Sequence, residues 1–196
     1  MIVGLVMRGR PIDAEMIELA ELARTAGADV QETMVQRVDR FDAAVWMGRG
    51  KSKMLAERVV DGKFEIVIFN GNLTPTQVRN LQDLFGTSVK VLDRPGLILD
   101  IFAKHARSRD AKLRVELAQL QYLLPRLAGL WRHLERQQGG IGTRGPGETQ
   151  IEVDRRMARK RLALLQDQIG RQSKARVVQR SGRDGIPRVA MVGYTN

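Results

Sequence analysis

The first hundred residues alternate between short apolar runs and amphipathic segments. Three apolar runs predict β-strands, at residues 2–7, 64–69 and 88–93. A fourth strand is expected from residues 28–38 or from 42–47. Strands separated by helical segments predict βαβ units and a parallel sheet. We therefore expect residues 1–105 to form an N-terminal α/β domain with a small parallel sheet.

Two helices of this half are marked by their local chemistry. The segment after Pro11 places its apolar residues on one helical face and is closed by Gly27; these residues are Met16, Leu19, Ala20 and Ala23. A second helix is expected after Thr74, because Thr74 and Gln77 have the spacing of a capping box around Pro75.

The second half of the chain has a different periodicity. Apolar residues recur with alternating spacings of four and three at Leu113, Leu117, Leu120, Leu124, Leu127, Trp131 and Leu134. This heptad pattern predicts a long helix that packs on another helix, with a kink expected at Pro125. Matching positions follow at Ala158, Leu162, Leu165 and Ile169. We expect residues 106–182 to form a long, coiled-coil-like antiparallel helical hairpin with a tip loop at 139–149.

Beyond this hairpin the periodicity disappears. Residues 171–188 lack a repeating apolar position and are predicted to form a basic linker. Residues 189–193, with the sequence VAMVG, predict the start of a further buried strand.

Charge separates the two halves more sharply than composition does. The 196 residues carry a net charge of +11. Residues 1–103 hold 13 Lys and Arg against 14 Asp and Glu, whereas residues 104–196 hold 20 against 8. Such a one-sided positive field indicates a polyanionic partner. The densest cluster is expected to face away from the leucine seam and to contact this polyanion; it comprises Arg155, Arg156, Arg159, Lys160 and Arg161.

Other function classes are less compatible with this composition. The chain has no cysteine, which excludes disulfides and thiolate metal sites. It lacks a signal-peptide pattern and any apolar run of about 18 residues. We expect a cytoplasmic monomer without stable membrane insertion, and we expect no catalytic or metal-binding residue in this chain.

The glycine-rich segment 139–150, GGIGTRGPGETQ, superficially matches the dinucleotide fingerprint G-x-G-x-x-G. That fingerprint requires a preceding strand and a helix that opens on its last glycine. Here a charged helical segment precedes the glycines, and the next helix is expected to begin near Thr149, which forms a capping box with Glu152. We interpret the segment as a tip that can approach another backbone closely, with Arg144 as its central charge.

Two further stretches resemble parts of a phosphate-binding loop. Residues 48–52, GRGKS, end like a Walker A motif, but Val45 stands where the first glycine is required. An ordinary turn is expected there, with Lys51 near a helix N-terminus. The segment ending in Gly193 could begin such a loop, although only its first glycine is present.

Three stretches together resemble the HflX family of ribosome-associated GTPases: VLDRPGLILDIFAKHARSRDAKLRVELAQLQYLLPRL, GGIGTRGPGETQIEVDRR and the terminal VGYTN. The resemblance implies an α/β domain, a helical hairpin and then a P-loop GTPase domain. It also implies binding to the large (50S) ribosomal subunit and its rRNA, and splitting of stalled or idle ribosomes under stress. The tip residues implied to approach rRNA near the peptidyl transferase centre are Gly140, Gly142, Thr143, Arg144 and Gly145.

The same resemblance assigns residues 183–196 to a linker and the first strand of a truncated GTPase domain. The positions matching the nucleotide loop are Gly193, Tyr194, Thr195 and Asn196. The family continues from there with Ala-Gly-Lys-Ser, so GTP and Mg²⁺ are expected as cofactors of the full-length parent and none of this fragment.

The chain departs from the family pattern at two places. Pro95 stands where threonine is usual, and Asn70, Gly71 and Asn72 stand where acidic residues are common. An alternative interpretation is that the α/β domain is itself a nucleotide-hydrolysing module, because parallel sheets offer phosphate-binding strand ends.

Overall fold

The computed structural model describes residues 1–7, 11–86, 88–138 and 147–181, with side chains described for residues 1–7, 11–86, 88–126 and 153–179. The N-terminal part is built on a four-stranded parallel sheet in the order β2-β1-β3-β4. The strands are β1 (Ile2–Met7), β2 (Thr33–Val38), β3 (Ile66–Phe69) and β4 (Lys90–Asp93). The predicted parallel α/β domain is therefore confirmed.

The fourth strand comes from the first of the two segments expected to supply it. β2 pairs with β1 along its whole length, from Ile2 opposite Thr33 to Met7 opposite Val38. Residues 42–47 instead form a loop, closed by an antiparallel bridge between Asp42 and Trp46. Because β2 and β4 are the edge strands, β1 and β3 are paired on both sides and consist largely of buried apolar residues.

Helices cover both faces of the sheet and produce two apolar cores. Helices α1 (Asp13–Thr25) and α4 (Arg94–His105) pack on one face, around Leu19 and Leu97. Helices α2 (Arg49–Asp61) and α3 (Pro75–Phe85) pack on the other, around Leu55 and Leu81. All four of these leucines are almost completely buried. The result is a three-layer α/β/α arrangement.

Two helix N-termini at the carboxyl end of the sheet are fixed by side-chain caps. Thr74 Oγ1 accepts from Gln77 N at 3.2 Å and Gln77 Oε1 accepts from Thr74 N at 2.9 Å, which confirms the predicted capping box. Asp93 caps α4 in the same way, accepting from Gly96 N at 2.9 Å. Helix α4 therefore begins at Arg94, because Asp93 supplies its cap and Pro95 fits its first turn.

The predicted helical hairpin is present and its helices are longer than expected. Helix α5 (Arg109–Gln138) continues through Pro125, and α6 extends over Gly147–Ser181. α6 begins two residues before Thr149, which consequently lies in its first turn and is not its N-cap. Within the described side chains, Leu165 is fully buried at the seam. Its predicted seam partners are partly buried: Leu113, Leu117, Leu120, Leu124, Ala158, Leu162 and Ile169.

The prediction of a linker from residue 171 is wrong for residues 171–181, which are helical. These residues include no glycine or proline and are rich in residues of good helix propensity. Ion pairs also hold this part of the helix, since Arg171 pairs with Asp167 at 2.8 Å and Arg176 with Asp110 of α5 at 3.1 Å. Loss of apolar periodicity therefore marked the end of the seam and not the end of the helix. Residues 182–196, with the predicted strand at 189–193, lie outside the described residues.

The hairpin is attached at the β4 edge of the sheet. α5 packs against both α3 and α4, which lie on opposite faces, so it covers that edge. α4 starts at the carboxyl end of β4. α5 runs back to the same end of the sheet, where the Tyr122 hydroxyl donates to Asp93. From there α5 continues to Gln138, a further ~24 Å beyond the carboxyl end of the sheet. Across the described part of the chain, no helix combines the length and apolar character needed to cross a bilayer.

Candidate nucleic-acid interface

A buried carboxylate joins the hairpin to the α/β domain. Asp93 has no exposed surface and its two oxygens accept four hydrogen bonds. Oδ1 accepts from Gly96 N at 2.9 Å and from Tyr122 Oη at 2.6 Å. Oδ2 accepts from Leu73 N at 3.1 Å and from Arg126 Nη2 at 3.0 Å. The charge is thus paired and hydrogen-bonded, as burial of a carboxylate requires.

Arg126 completes this junction from helix α5. Its guanidinium lies 3.6 Å from the centroid of the Tyr122 ring and donates to the Tyr122 carbonyl and the Leu73 carbonyl, both at 2.9 Å. Burial, followed by the hydrogen bond to Asp93, raises the pKa of the Tyr122 phenol well above its usual range. The phenol therefore stays neutral and acts as a donor. We call Asp93, Tyr122 and Arg126 the junction triad.

The junction triad was not identified from the sequence. The sequence did contain a signal for the capping role of Asp93, because an aspartate that ends an apolar strand, with proline two residues later, is typical of an N-cap. Nothing in the sequence indicated that Tyr122 and Arg126, four residues apart on another helix, would reach the same carboxylate. The triad joins α5 to the α/β domain at the point where the hairpin begins to extend beyond the sheet.

Four of the five cations in the predicted cluster form one outward surface on α6. We call Arg155, Arg156, Arg159 and Lys160 the basic stripe. Arg156, Arg159 and Lys160 are exposed and Arg155 is partly buried. With Ala163, the four side chains line a shallow groove. Like charges three and four residues apart repel each other on a helix, so this arrangement costs stability unless an anion binds it.

The fifth predicted cation, Arg161, lies on a different side. It donates to the Glu116 carboxylate of α5 through Nε at 2.6 Å and Nη2 at 2.9 Å. This bidentate contact raises the pKa of Arg161 further above its usual range. Arg161 thus joins the two helices, and its contact with RNA stays a prediction.

The contact between Glu116 and Arg161 also gives the level of the basic stripe. In an antiparallel pair, this contact places residues 155–160 beside residues 117–122 of α5, and the ion pair of Asp110 with Arg176 places them beside residues 126–131. The stripe is therefore close to the junction triad, and the helices continue outward from it. The predicted tip residues Gly140, Gly142, Thr143, Arg144 and Gly145 lie outside the described residues, as do Gly193, Tyr194, Thr195 and Asn196.

The Walker-like segment 48–52 is used in local structure. Lys51 Nζ donates to the Arg37 carbonyl at 3.0 Å, and the Ser52 hydroxyl donates to the Gly48 carbonyl at 2.8 Å. Ser52 is also almost completely buried. Lys51 lies in the first turn of α2, as expected, but both groups that would bind phosphate and Mg²⁺ in a Walker loop already contact the backbone.

The strand ends where a parallel sheet usually binds nucleotide are also occupied. The order β2-β1-β3-β4 places the topological switch between β1 and β3. There the Asn70 side chain accepts from Leu5 N at 2.9 Å and donates to Leu5 O at 3.2 Å. The amide thereby extends the pairing of β1 with β3 across the crevice. Among the described residues, no group of three or more His, Cys, Asp and Glu side chains could hold a metal ion.

Comparison with known families covers nearly the whole chain. The family described as "GTP-binding GTPase N-terminal" matches residues 13–103, and the family described as "GTP-binding GTPase Middle Region" matches residues 105–183. Among curated proteins, GTPase HflX of Caldanaerobacter subterraneus subsp. tengcongensis is 50% identical over 189 residues, covering 95% of this chain and 44% of the relative. GTPase HflX of Escherichia coli is 43% identical over 189 residues, covering 94% and 44%. The chain thus spans less than half the length of these relatives.

Solved structures share the fold at lower sequence identity. The complex of SsGBP with GDP has a TM-score of 0.61 at 20% identity, covering 89% of this chain and 45% of the solved one. A GTP-binding protein from the hyperthermophilic archaeon Sulfolobus solfataricus, also in complex with GDP, has a TM-score of 0.56 at 19% identity, covering 88% and 46%. These two likenesses support the α/β domain with its helical hairpin.

Proposed function

Because this chain belongs to the HflX family of GTPases, we propose that it is the N-terminal region that binds such a GTPase to the large (50S) ribosomal subunit. The observation that carries this proposal is the basic stripe, which places four cations on one outward groove of a helix. Folded rRNA offers a dense array of phosphates for such a surface.

In the proposed mechanism, one group of residues attaches the chain to rRNA and another group orients the hairpin. The basic stripe supplies contacts to phosphates that do not depend on base sequence. The junction triad holds the hairpin at a fixed position on the α/β domain, so that seating the stripe also directs the outer part of the hairpin. The predicted tip, with Arg144 at its centre, then approaches rRNA at a position set by the rest of the molecule.

In the full-length parent we propose that this attachment serves GTP- and Mg²⁺-dependent separation of stalled or idle ribosomes under stress. The chain itself contributes positioning and carries no proposed catalytic group. This role also assigns the protein to the cytoplasm. A nucleotide-hydrolysing role of the α/β domain is not favoured, because Asn70 bridges the switch-point crevice and Lys51 and Ser52 contact the backbone.

The test is binding of the chain to purified large subunits over a range of salt concentrations. The variant Arg156→Gln/Arg159→Gln removes two stripe charges and should reduce the slope of log affinity against log salt by about two. The matched control Arg24→Gln/Lys104→Gln removes two exposed charges elsewhere, on α1 and α4, and should leave the slope nearly unchanged. Equal effects of the two variants would show that total charge, and not the stripe, governs binding.

A further inference from the structure

The loop between β2 and α2, residues 39–48, presents a charged aromatic surface that the proposed function does not use. Hydrogen bonds among residues 42–46 close its central part. Asp42 Oδ1 accepts from Ala44 N at 2.7 Å and from Val45 N at 2.9 Å. The backbones of Asp42 and Trp46 also exchange two hydrogen bonds, of 2.9 and 3.1 Å. Such a network gives the loop one defined shape.

Helix α3 holds the same loop from the side. Gln77 Nε2 donates to the Asp42 carbonyl and Asn80 Nδ2 donates to the Ala44 carbonyl, both at 2.9 Å. Because Gln77 is in the first turn of α3, the loop lies at the carboxyl end of the sheet. This is the end from which the hairpin extends, so one RNA molecule could contact both surfaces.

An unusual backbone conformation directs the aromatic residues of this loop. Trp46 has a φ of +68°, which is rare for a bulky residue and costs on the order of 1–3 kcal/mol. The indole is buried against the edge of Phe69, with ring centroids 5.5 Å apart and an interplanar angle of 81°. It also packs against Gly71, where a Cβ atom would collide with it. The chain therefore requires glycine at the position where its relatives were expected to carry other residues.

Phe41 stacks on the outer face of this buried indole. The two ring centroids are 5.7 Å apart and the planes differ by only 10°. Phe41 is nevertheless 47% exposed, so much of its surface contacts water. A phenyl ring held flat on a rigid support is the arrangement that single-strand-binding proteins use to stack bases.

Charges of both signs lie near Phe41: Asp39, Arg40 and Asp42 are its neighbours in sequence, and Arg49 begins α2. Arg40 and Arg49 both lie close enough to Asp42 to contribute to the lowered pKa of its carboxyl, whose main cause is the two backbone N–H groups. α2 begins with Arg49 and Lys51 and has no acidic residue in its first turn. Cations are unfavourable at a helix N-terminus. Lys51 is held by its contact with the Arg37 carbonyl, whereas Arg49 makes no hydrogen bond or ion pair among the described residues. An anionic partner would offset the unfavourable charge of Arg49.

We infer that Phe41 is a stacking platform for one unpaired base of an RNA strand, with Arg40 and Arg49 contacting the flanking phosphates. The choice of RNA over another anionic aromatic partner rests on the proposed function. The platform binds a single strand, because a duplex does not present the face of a base. It is separate from the basic stripe, which recognises phosphates in paired and unpaired RNA alike.

The test compares a labelled 12-nucleotide single-stranded RNA with a duplex of the same sequence, measured by fluorescence anisotropy on the full 196-residue chain. Phe41→Leu keeps apolar cover over Trp46 and removes the aromatic face. It should weaken single-strand binding roughly 5- to 150-fold and leave duplex binding unchanged. Phe41→Tyr keeps the face and should bind like the parent chain. The thermal midpoints of both variants report whether the loop stays folded.

The stripe variant Arg156→Gln/Arg159→Gln separates this inference from the proposed function. It should weaken duplex and single-strand binding by similar factors, because it removes only phosphate contacts. If Phe41→Leu weakens both RNAs equally, or neither, the stacking platform is wrong while the ribosome-binding role is untouched. If free AMP competes with the labelled strand at micromolar concentration, the surface is a mononucleotide site and the strand assignment is wrong. Competition only above about millimolar AMP agrees with the inference.

Discussion

The junction triad and the basic stripe use arginine for opposite purposes. Arg126 is largely buried, contacts a buried carboxylate and two carbonyls, and stacks on an aromatic ring. Arg156 and Arg159 are exposed at the surface of α6, in a run with no acidic residue between 155 and 166. A buried arginine of the first kind holds two parts of the molecule together. Exposed arginines of the second kind are accessible to an outside partner.

This difference shows why the attachment of the hairpin need not depend on its proposed RNA-binding surface. The triad and the stripe lie at the same level of the hairpin, yet they face the α/β domain and the solvent respectively. Substitutions in the junction triad should therefore alter the free energy of unfolding, and substitutions in the basic stripe should alter binding. Three experiments test this division.

The largest effect is expected for Asp93→Ala. It leaves the Arg126 guanidinium buried without its carboxylate, and breaking one partner of a buried ion pair costs about 3–5 kcal/mol. Urea denaturation followed by circular dichroism measures the free energy of unfolding. Arg156→Ala, as the exposed control, should change it by no more than about 0.5 kcal/mol. A loss below about 1 kcal/mol for Asp93→Ala would show that the triad does not hold the hairpin.

A smaller and pH-dependent effect is expected for Tyr122→Phe. At neutral pH it should lower the free energy of unfolding by about 1.5–3 kcal/mol, because the phenol donates to a charged acceptor. The pKa of the phenol is raised in the folded state, so its contribution is complete below about pH 10, the unfolded value, and falls as pH rises further.

The advantage of the parent chain over Tyr122→Phe should therefore shrink by about 1 kcal/mol by pH 11, allowing for partial exposure of the phenol. Denaturation curves of both proteins at pH 8 and pH 11 provide the comparison. Tyr194 is present in both and cancels. A constant difference across this range would mean that the phenol is not a neutral donor to Asp93.

The smallest effect is expected for the pair of Glu116 and Arg161, which joins the helices at the surface. Both side chains are substantially exposed, so a double-mutant cycle of Glu116→Gln and Arg161→Gln should give a coupling of about 0.2–1 kcal/mol. The coupling should also decline with added salt. A coupling above about 2 kcal/mol would place this pair with the junction triad and weaken the contrast between buried and exposed arginine.

Much of the fold could be predicted because local signals agreed with the tertiary structure. The apolar run at 2–7 became β1 without a change of boundary, and Thr74 and Gln77 formed the expected capping box. The prediction for residues 171–181 failed because apolar periodicity reports packing and not helicity. There the helix continues on propensity and ion pairs after the seam has ended.

The candidate site could be predicted only in part. The cations of the stripe were recognised as a run of sequence, and their common outward groove follows from helical spacing. Arg161 belongs to the same run but contacts Glu116, 45 residues away along the chain. No sequence pattern marked Phe41 as a candidate binding residue. Its stacking on Trp46 depends on the positive φ of Trp46 and on the absence of a side chain at Gly71.

The alternation of strands and helices, the two long helices with a shared seam and the positive charge of the second half can all be read from the sequence. They depend on periodicity, capping and composition, which act over a few residues. Which polar side chains are used internally follows only from the packed fold, as for Asp93 with Arg126 and Asn70 with Leu5. Such pairings join residues 33 and 65 positions apart, and only the packing of the sheet and helices brings the groups within hydrogen-bonding distance.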